Sequence, residues 1–373
     1  MKKLAKLFKI LGIIILLAAI GGYIFMKQPQ FGKSPSGERL RRIKQSPNYK
    51  DGKFQNLAKT TDMGGESKFN FYGMIKEAYF NKSRRREPSE ALPSVKTDLK
   101  SLSSEENIVI WLGHSSFYIQ LDGKRILIDP VFGGYASPVG FYNKSYKGSD
   151  IYTAEDFPDI DYLLISHDHY DHLDYDTVLK LKTKVKMVIT GLGVGEHFER
   201  WGYDKNNIIE KDWHEAVDLE EGFEIIFTPA RHRSGRSLKS NQTLWGSFVI
   251  KTPNYKIFYS GDSGYEAHFK DIGEKYGPFN LAIMECGQYS KYWPQSHMAP
   301  SQVVQASIDL KAEKLMPGHY GKFTLSIHDW DEPIIKVLEE SKKRKMPLLY
   351  PKIGQKVDIE KTVTTEKWWE GIN

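Results

Sequence analysis

Three textures of apolar and polar positions succeed one another along the chain. Residues 10–26, ILGIIILLAAIGGYIFM, are continuously apolar and follow Lys2, Lys3, Lys6 and Lys9. Seventeen such residues lie at the short end of what a helix needs to span a bilayer. No Ala-x-Ala cleavage signature precedes Lys27, so the pattern predicts a short basic tail over 1–9 and an uncleaved single-pass anchor over 10–26. Residues 27–105 mix Pro, Gly, Ser and charge with short amphipathic patches such as FNFYGMIKEAYF, which reads as a basic, solvated linker and N-terminal extension. The arginine run in NKSRRREPSEALPS is expected on a solvated turn.

From Asn107 the texture changes to strands. NIVIWLG and SSFYIQL lead to the Asp122-Gly123 hairpin signal and then KRILIDPVF. Asp161 to Ser166, VKMVITG, FEIIFTPA, WGSFVIKT, YKIFYSGD, NLAIMECG and EKLMPGH continue the series, with helices expected at 174–183 and 300–310. Strands in meanders with a few helices between them predict two packed sheets flanked by helices over a domain at 106–360, followed by a C-terminal tail at 361–373. Several strand ends deliver a polar residue: Asp129, His167, His232, Asp262, Glu285 and His319.

Composition narrows the function classes. A 373-residue chain that is 40% hydrophobic and 13% aromatic can bury a large core, which excludes a disordered protein. A single cysteine, Cys286, excludes an intramolecular disulfide framework and a cysteine-based zinc site, and its apolar surroundings assign it a structural role. The net charge of +6 comes largely from residues 27–60, where nine basic residues face two acidic ones. The domain itself lacks an interleaved basic and aromatic strip, so a nucleic-acid partner is not expected and a membrane is. Basic residues flank the apolar run on both sides, so charge alone does not orient it. Lysines at an extreme N-terminus lean toward the cytoplasm, placing the domain outside.

The densest chemistry lies in LLISHDHYDHLDYD, residues 163–176. In an extended chain, side chains at i and i+2 share a face, so His167 and His169 point one way and Asp168 and Tyr170 the other. Asp171 and His172 follow where the chain turns into the next helix and can face a second point nearby. Capping does not need three imidazoles within six residues, whereas a pair of adjacent metals does. TPARHRSGR, FYSGDSGY and LMPGHYGKF offer further donors, His232, Asp262 and His319, each after an apolar run. Their neighbours Gly261, Gly264 and Gly318 allow tight turns.

His167-x-His169-x-Asp171-His172, then a histidine, an aspartate in Gly-Asp-Ser-Gly and a late Gly-His, resemble the metallo-β-lactamase superfamily. WLGHSSFYIQLDGKRILIDPVF, NQTLWGSF, YGPFNLA and HMAPSQVV further resemble its branch of N-acyl-phosphatidylethanolamine-hydrolysing phospholipases D. The resemblance implies an α/β fold, a four-layer αββα sandwich, here behind a membrane anchor. It implies two zinc ions, with iron or manganese as other candidates: one on His167, His169 and His232, the other on Asp171, His172 and His319, with Asp262 bridging. Asp171 would orient and deprotonate water, and His297 would touch the substrate phosphate. His114 would line the pocket or support it. Tyr118, Tyr292 and Trp293 are candidates for an apolar entrance. The implied reaction is hydrolysis of a phospholipid phosphodiester at the cell membrane; MECGQY at 284–289 departs from the branch. A lactone, a sugar phosphate or a nucleic-acid phosphodiester would suit the same metals, and a non-catalytic metal-binding scaffold is the alternative of another class.

Overall fold

The computed structural model describes residues 2–60, 73–74, 76–77, 80, 85–361 and 366–372. Most of the patch FNFYGMIKEAYF lies outside them. The first element is a helix, Lys2–Phe25, long and apolar enough over Lys3–Phe25 to cross a membrane, its most apolar stretch left unburied by the described residues. A two-stranded hairpin follows, β1 (Tyr49–Lys50) and β2 (Lys53–Phe54).

The first large sheet is built from β3 (Ile108–Trp111), β4 (Phe117–Leu121), β5 (Lys124–Ile128), β6 (Ile160–Ile165), β7 (Val185–Gly191) and β8 (Ile208–Lys211). The second comprises β9 (Ala216–Asp218), β10 (Glu224–Thr228), β11 (Ser247–Lys251), β12 (Lys256–Tyr259), β13 (Leu281–Glu285) and β14 (Leu315–Gly318), and β15 (Lys356–Asp358) returns to the first. Strand order is β15-β3-β4-β5-β6-β7-β8 in one sheet and β14-β13-β12-β11-β10-β9 in the other.

The apolar runs are continuous because the first sheet is buried on both faces. Phe117, Ile119 and Leu121 of β4 point into the cluster shared with Phe227, Phe248 and Phe258 of the second sheet. The intervening Tyr118 points the other way, toward Val178, Leu181 and Phe198 of the helices Tyr175–Leu181 and Gly195–Arg200. Tyr118 is therefore a core residue and not part of an entrance. The helices His268–Lys275, Pro300–Asp309 and Glu332–Arg344 contribute Phe269, Val303 and Val337 to the cluster that contains the second sheet. This is the αββα sandwich expected from the resemblance. Asp122 and Gly123 both take positive φ, 45° and 78°, as a two-residue hairpin turn requires.

Three expectations change. Residues 29–60 are not a solvated linker: Phe31, Ile43 and Phe54 are buried, and Arg39 bridges Glu196, Glu199 and Glu210 at 2.6–2.8 Å. Arg85 and Arg86 of the arginine run are likewise docked, Arg85 paired with Asp331 and Arg86 bonded to the Ser326 carbonyl. The C-terminal residues are packed too, since Trp368 and Trp369 are buried and Trp368 lies 6.3 Å from Tyr320 in a stacked arrangement.

Direction of travel positions the site. β10, β12, β13 and β14 all run the same way, and so do β5 to β8. The carboxyl ends of β5, β6, β10, β12 and β14 thus release their loops at one edge of the sandwich, where ligands collect in open α/β sheets.

Because Trp368 belongs to the core, Trp368→Ala should lower unfolding free energy by about 3–5 kcal/mol. Chemical denaturation of the purified chain measures this, and a change within ~0.5 kcal/mol would show the C-terminal segment to be peripheral.

Candidate metal centre

β6 ends at Ile165, and the loop after it turns back on itself through hydrogen bonds from the His172 and Leu173 amides to the His169 carbonyl. That turn brings Asp171 and His172 round beside His167 and His169. Asp168 points away, as the alternation predicts, and accepts from His197 Nε2, Gly235 N and Thr243 Oγ1. His232 arrives after β10, Asp262 after β12 and His319 immediately after β14. Gly261 reaches φ +55° there, and a Cβ on it would meet the Gly246 carbonyl oxygen at 2.5 Å.

Seven side chains converge in two overlapping groups. His167 Nε2 lies 2.9 Å from His169 Nδ1, which is 3.3 Å from His232 Nε2. Asp262 Oδ2 is 3.9 Å from His167 and 3.6 Å from His232. In the second group, His172 Nε2 is 3.1 Å from Asp262 Oδ1 and 3.6 Å from Asp171 Oδ2. His319 Nε2 is 3.1 Å from Asp262 Oδ2 and 3.8 Å from Asp171 Oδ2. Donors on one tetrahedral cation with bonds of about 2.0–2.1 Å sit roughly 3.3 Å apart. The spacings therefore match donor sets around two cations with Asp262 common to both. Three sets of donor atoms lie close enough together to hold a metal: His167, His169, His232 and Asp262; His114, Asp171, His172 and His319; and Asp262, His297 and His319.

Partners on the far side of the rings aim the nitrogens. His172 Nδ1 meets Asp129 at 2.8 Å, and His232 Nδ1 donates to the Ser296 carbonyl at 3.1 Å, leaving Nε2 of each toward the cluster. His172 Nε2 and Asp262 Oδ1 are buried without a hydrogen-bond partner among the described residues. Orphaned buried atoms of this kind are what a cation would satisfy.

Electrostatics point the same way. Burial holds His167, His232 and His319 well below the usual imidazole range, with neighbouring imidazoles adding to the effect, and pushes His169 down to about 4. Neutral imidazole is the ligating form. Asp262 is raised to about 6 by burial against the pull of His172. Asp171 stays well below its usual value, because His172 and His114 outweigh burial. His172 is the exception: burial disfavours its proton, yet Asp262, Asp171 and Asp129 together hold it well above the usual range. That proton occupies the position between carboxylates that a cation would take.

Of the supports around these residues, the sequence offered His114 as lining or supporting the pocket and marked Asp129 and Glu285 only as polar strand ends. His114, at φ 51°, lays Nε2 3.0 Å from Asp171 Oδ2 and so holds that carboxylate in place. His319 is also left-handed, φ 62°, and the pair is locked by the His319 amide on the His114 carbonyl and the His114 amide on the Tyr320 carbonyl. Asp129 accepts from Ser166 N, Ser166 Oγ, His172 and Tyr259 OH. Its strand-end position after β5 was the available signal. Glu285 is buried beneath His297, with Oε2 3.4 Å from His297 Nδ1.

Above the cluster opens a cavity of about 240 Å³, lined by Arg233, Gln288, Trp293, His297 and Leu325. Trp293 thus fulfils the expectation of a wall residue. Arg233 carries no ion pair among the described residues, although its charge faces His169, His232 and His297. No motif marked it. Cys286 is buried in the core and belongs to none of the metal groupings.

A model of the β-lactamase superfamily domain matches residues 124–320. An uncharacterized protein of Mycobacterium tuberculosis is 34% identical over 329 residues, covering 87% of this chain and 88% of its own length. N-acyl-phosphatidylethanolamine-hydrolyzing phospholipase D 1 of Caenorhabditis elegans is 30% identical over 272 residues, covering 66% of this chain and 76% of its own. Among solved structures, a metallo hydrolase of Ignicoccus hospitalis aligns with TM-score 0.53 at 21% identity, over 67% of this chain and 97% of that one, a likeness of fold.

Asp129→Asn keeps the volume but turns an acceptor toward His172 into an amide. Metal affinity should fall about 10–100-fold, read by competition with a chromophoric chelator, while the far-ultraviolet spectrum stays unchanged. Unaltered affinity would remove Asp129 from the support of the site.

Proposed function

The chain belongs to the β-lactamase superfamily of metal-dependent hydrolases, and on that premise we propose that it is a membrane-anchored phosphodiesterase acting on phospholipids of the N-acylphosphatidylethanolamine type. The observation that carries the substrate class is Arg233, a guanidinium without a carboxylate partner among the described residues, set in the wall of the cavity over the metal cluster. A half-buried cation without a counter-ion favours an anion as its ligand, and a phosphodiester supplies one. The phospholipase D relative supports the lipid form of that substrate. The cavity, at about 240 Å³, suits a headgroup and leaves the acyl chains outside.

His167, His169 and His232 would hold one cation and Asp171, His172 and His319 the other, with Asp262 between them. Two divalent cations supply Lewis acidity, which lowers the pKa of water and polarises a phosphoryl oxygen. Zinc suits the histidine-rich donor set, and iron or manganese is the alternative. Asp171, fixed by His114, orients the attacking water and takes its proton. His297, at the cavity wall between His232 and His319, faces the phosphoryl group together with Arg233. The apolar helix at the N-terminus would place this apparatus at a bilayer as an uncleaved anchor, with the domain on the extracytoplasmic side.

The test uses the full chain in detergent micelles with N-acylphosphatidylethanolamine, a bis-aryl phosphodiester and a lactone. Chelation should abolish phosphodiester hydrolysis and readdition of zinc should restore it. Arg233→Gln should reduce kcat/KM on the phosphodiester about 10–100-fold at unchanged metal content, the loss of one charge-assisted hydrogen-bond partner. Hydrolysis of the lactone alone would move the chain to another chemistry.

Three ligand substitutions should separate by metal stoichiometry. His232→Ala should empty one site, His319→Ala the other, and Asp262→Asn should weaken both. His297→Ala should retain both ions yet turn over roughly 100-fold more slowly. Full activity after losing His232 or Asp262 would refute the metallohydrolase reading.

A further inference from the structure

The reverse side of the metal-bearing loops forms a second cleft, of about 520 Å³, at the foot of the N-terminal helix. We propose that this cleft binds the headgroup of an anionic phospholipid in the bilayer that holds the helix, and so fixes the domain against the membrane surface. The proposal rests on the anchor reading above, and its ligand site is separate from the catalytic cavity.

Attachment of the helix to the domain is the first support. Arg200 donates to the Lys27 carbonyl at 2.6 Å and to the Gly32 carbonyl at 2.9 Å. Trp201 Nε1 reaches the Pro29 carbonyl at 2.9 Å, and Arg236 Nη2 reaches the Gln30 carbonyl at 2.9 Å. Phe25, the last helical residue, packs edge-on against Phe31 at 5.0 Å. A flexible tether between span and domain is therefore absent from this stretch of described residues. Whatever bilayer surrounds the helix meets one particular face of the domain.

Charge is the second. Lys27, Lys33, Arg200, Arg236 and Lys239 line the cleft against one carboxylate, Asp168. Asp168 is already engaged by His197, Gly235 N and Thr243. Lys33 is neutralised by Glu196 at 2.6 Å. Arg200 and Arg236 bond to carbonyls, which satisfy their donors without cancelling their charge. Lys27 and Lys239 have no ion pair among the described residues. The cleft is thus a concentrated positive site at headgroup depth, where a phosphate is the complementary group.

The rim supplies the third. Leu238, between Ser237 and Lys239, is 92% exposed, a large apolar side chain held out beside a cationic one at the membrane end of the domain. In water that arrangement gains nothing; at an interface the leucine enters the acyl boundary while the lysine meets phosphate.

The floor connects the cleft to the metals. Asp168 lies between His167 and His169, and Gly235 and Arg236 follow His232 by three and four positions. The two sites therefore sit back to back across the same two loops.

The full chain is reconstituted into nanodiscs of phosphatidylcholine with and without phosphatidylglycerol. A nitroxide on Leu238→Cys, a position well exposed whereas Cys286 is buried, reports depth by its relative accessibility to oxygen and to a water-soluble nickel chelate. Native mass spectrometry reports retained lipid. The label should read as membrane-embedded, and phosphatidylglycerol should be retained in preference to phosphatidylcholine. Lys27→Gln and Lys239→Gln should each lower that preference about fivefold, leaving turnover of a soluble bis-aryl phosphodiester unchanged. A chain that enters the disc with an aqueous label and lipid retained regardless of charge overturns the proposal and leaves the anchor standing. A chain that stays outside the disc refutes the anchor, and the proposal with it.

Discussion

A single buried carboxylate ties the two sheets together beneath the metal cluster. Asp129 leaves the end of β5, takes Ser166 and His172 from the end of β6, and takes Tyr259 from the end of β12 in the other sheet. Its position is set by strand pairing: Ile128 lies opposite Leu164, so Asp129 emerges beside Ile165 and its carboxylate reaches the residue after it, Ser166. A fully buried charge is costly unless its lone pairs are all engaged, and here four donors engage them. Sheet packing, imidazole tautomer and ligand direction are thus fixed by the same group.

What was legible from the chain follows from how local its cause is. β4 and β6 announce themselves because their burial on both faces forces unbroken apolar runs, and Asp122-Gly123 because only such residues accept the turn. His167 to His172 are legible because four side chains able to ligate a metal fall within one loop. By contrast, β8, β9 and β15 are short edge or near-edge strands with mixed burial, and their sequences carry no clear period. The docking of residues 29–60 was invisible for another reason. Arg39 is held by Glu196, Glu199 and Glu210, partners about 160 positions away, and a basic residue looks the same whether solvated or paired. Arg233 escaped notice similarly, since its meaning lies in having no carboxylate partner among the described residues.

The cluster is an arrangement that folding alone disfavours. Imidazoles face one another at 2.9 and 3.3 Å, and His114, Asp129 and His319 occupy left-handed backbone. The carboxylates of Asp262, Asp171 and Asp129 around His172 offset part of that repulsion by favouring its charged form against burial. A cation relieves more, so metal binding and the stability of this edge of the sandwich are linked quantities. Strain of this kind is concentrated where β-strand ends are rigidly held from below, which is why the supports extend so far into the core.

The N-terminal segment draws fold and membrane into one problem. Arg200, Trp201 and Arg236 grip the backbone just after the helix, and Arg236 also bonds the carbonyls of Asp168 and Leu173 in the loop that carries the histidines. Its guanidinium stacks on Tyr170, centred 4.2 Å from the ring, within that same loop. One arginine therefore couples the foot of the helix to the ligand loop. Under the proposed function, with the helix in a bilayer and the substrate a lipid, fixing the cavity relative to the helix would replace a search in every orientation by a search in one, and the entropy of that alignment would be lost on folding, not in each encounter.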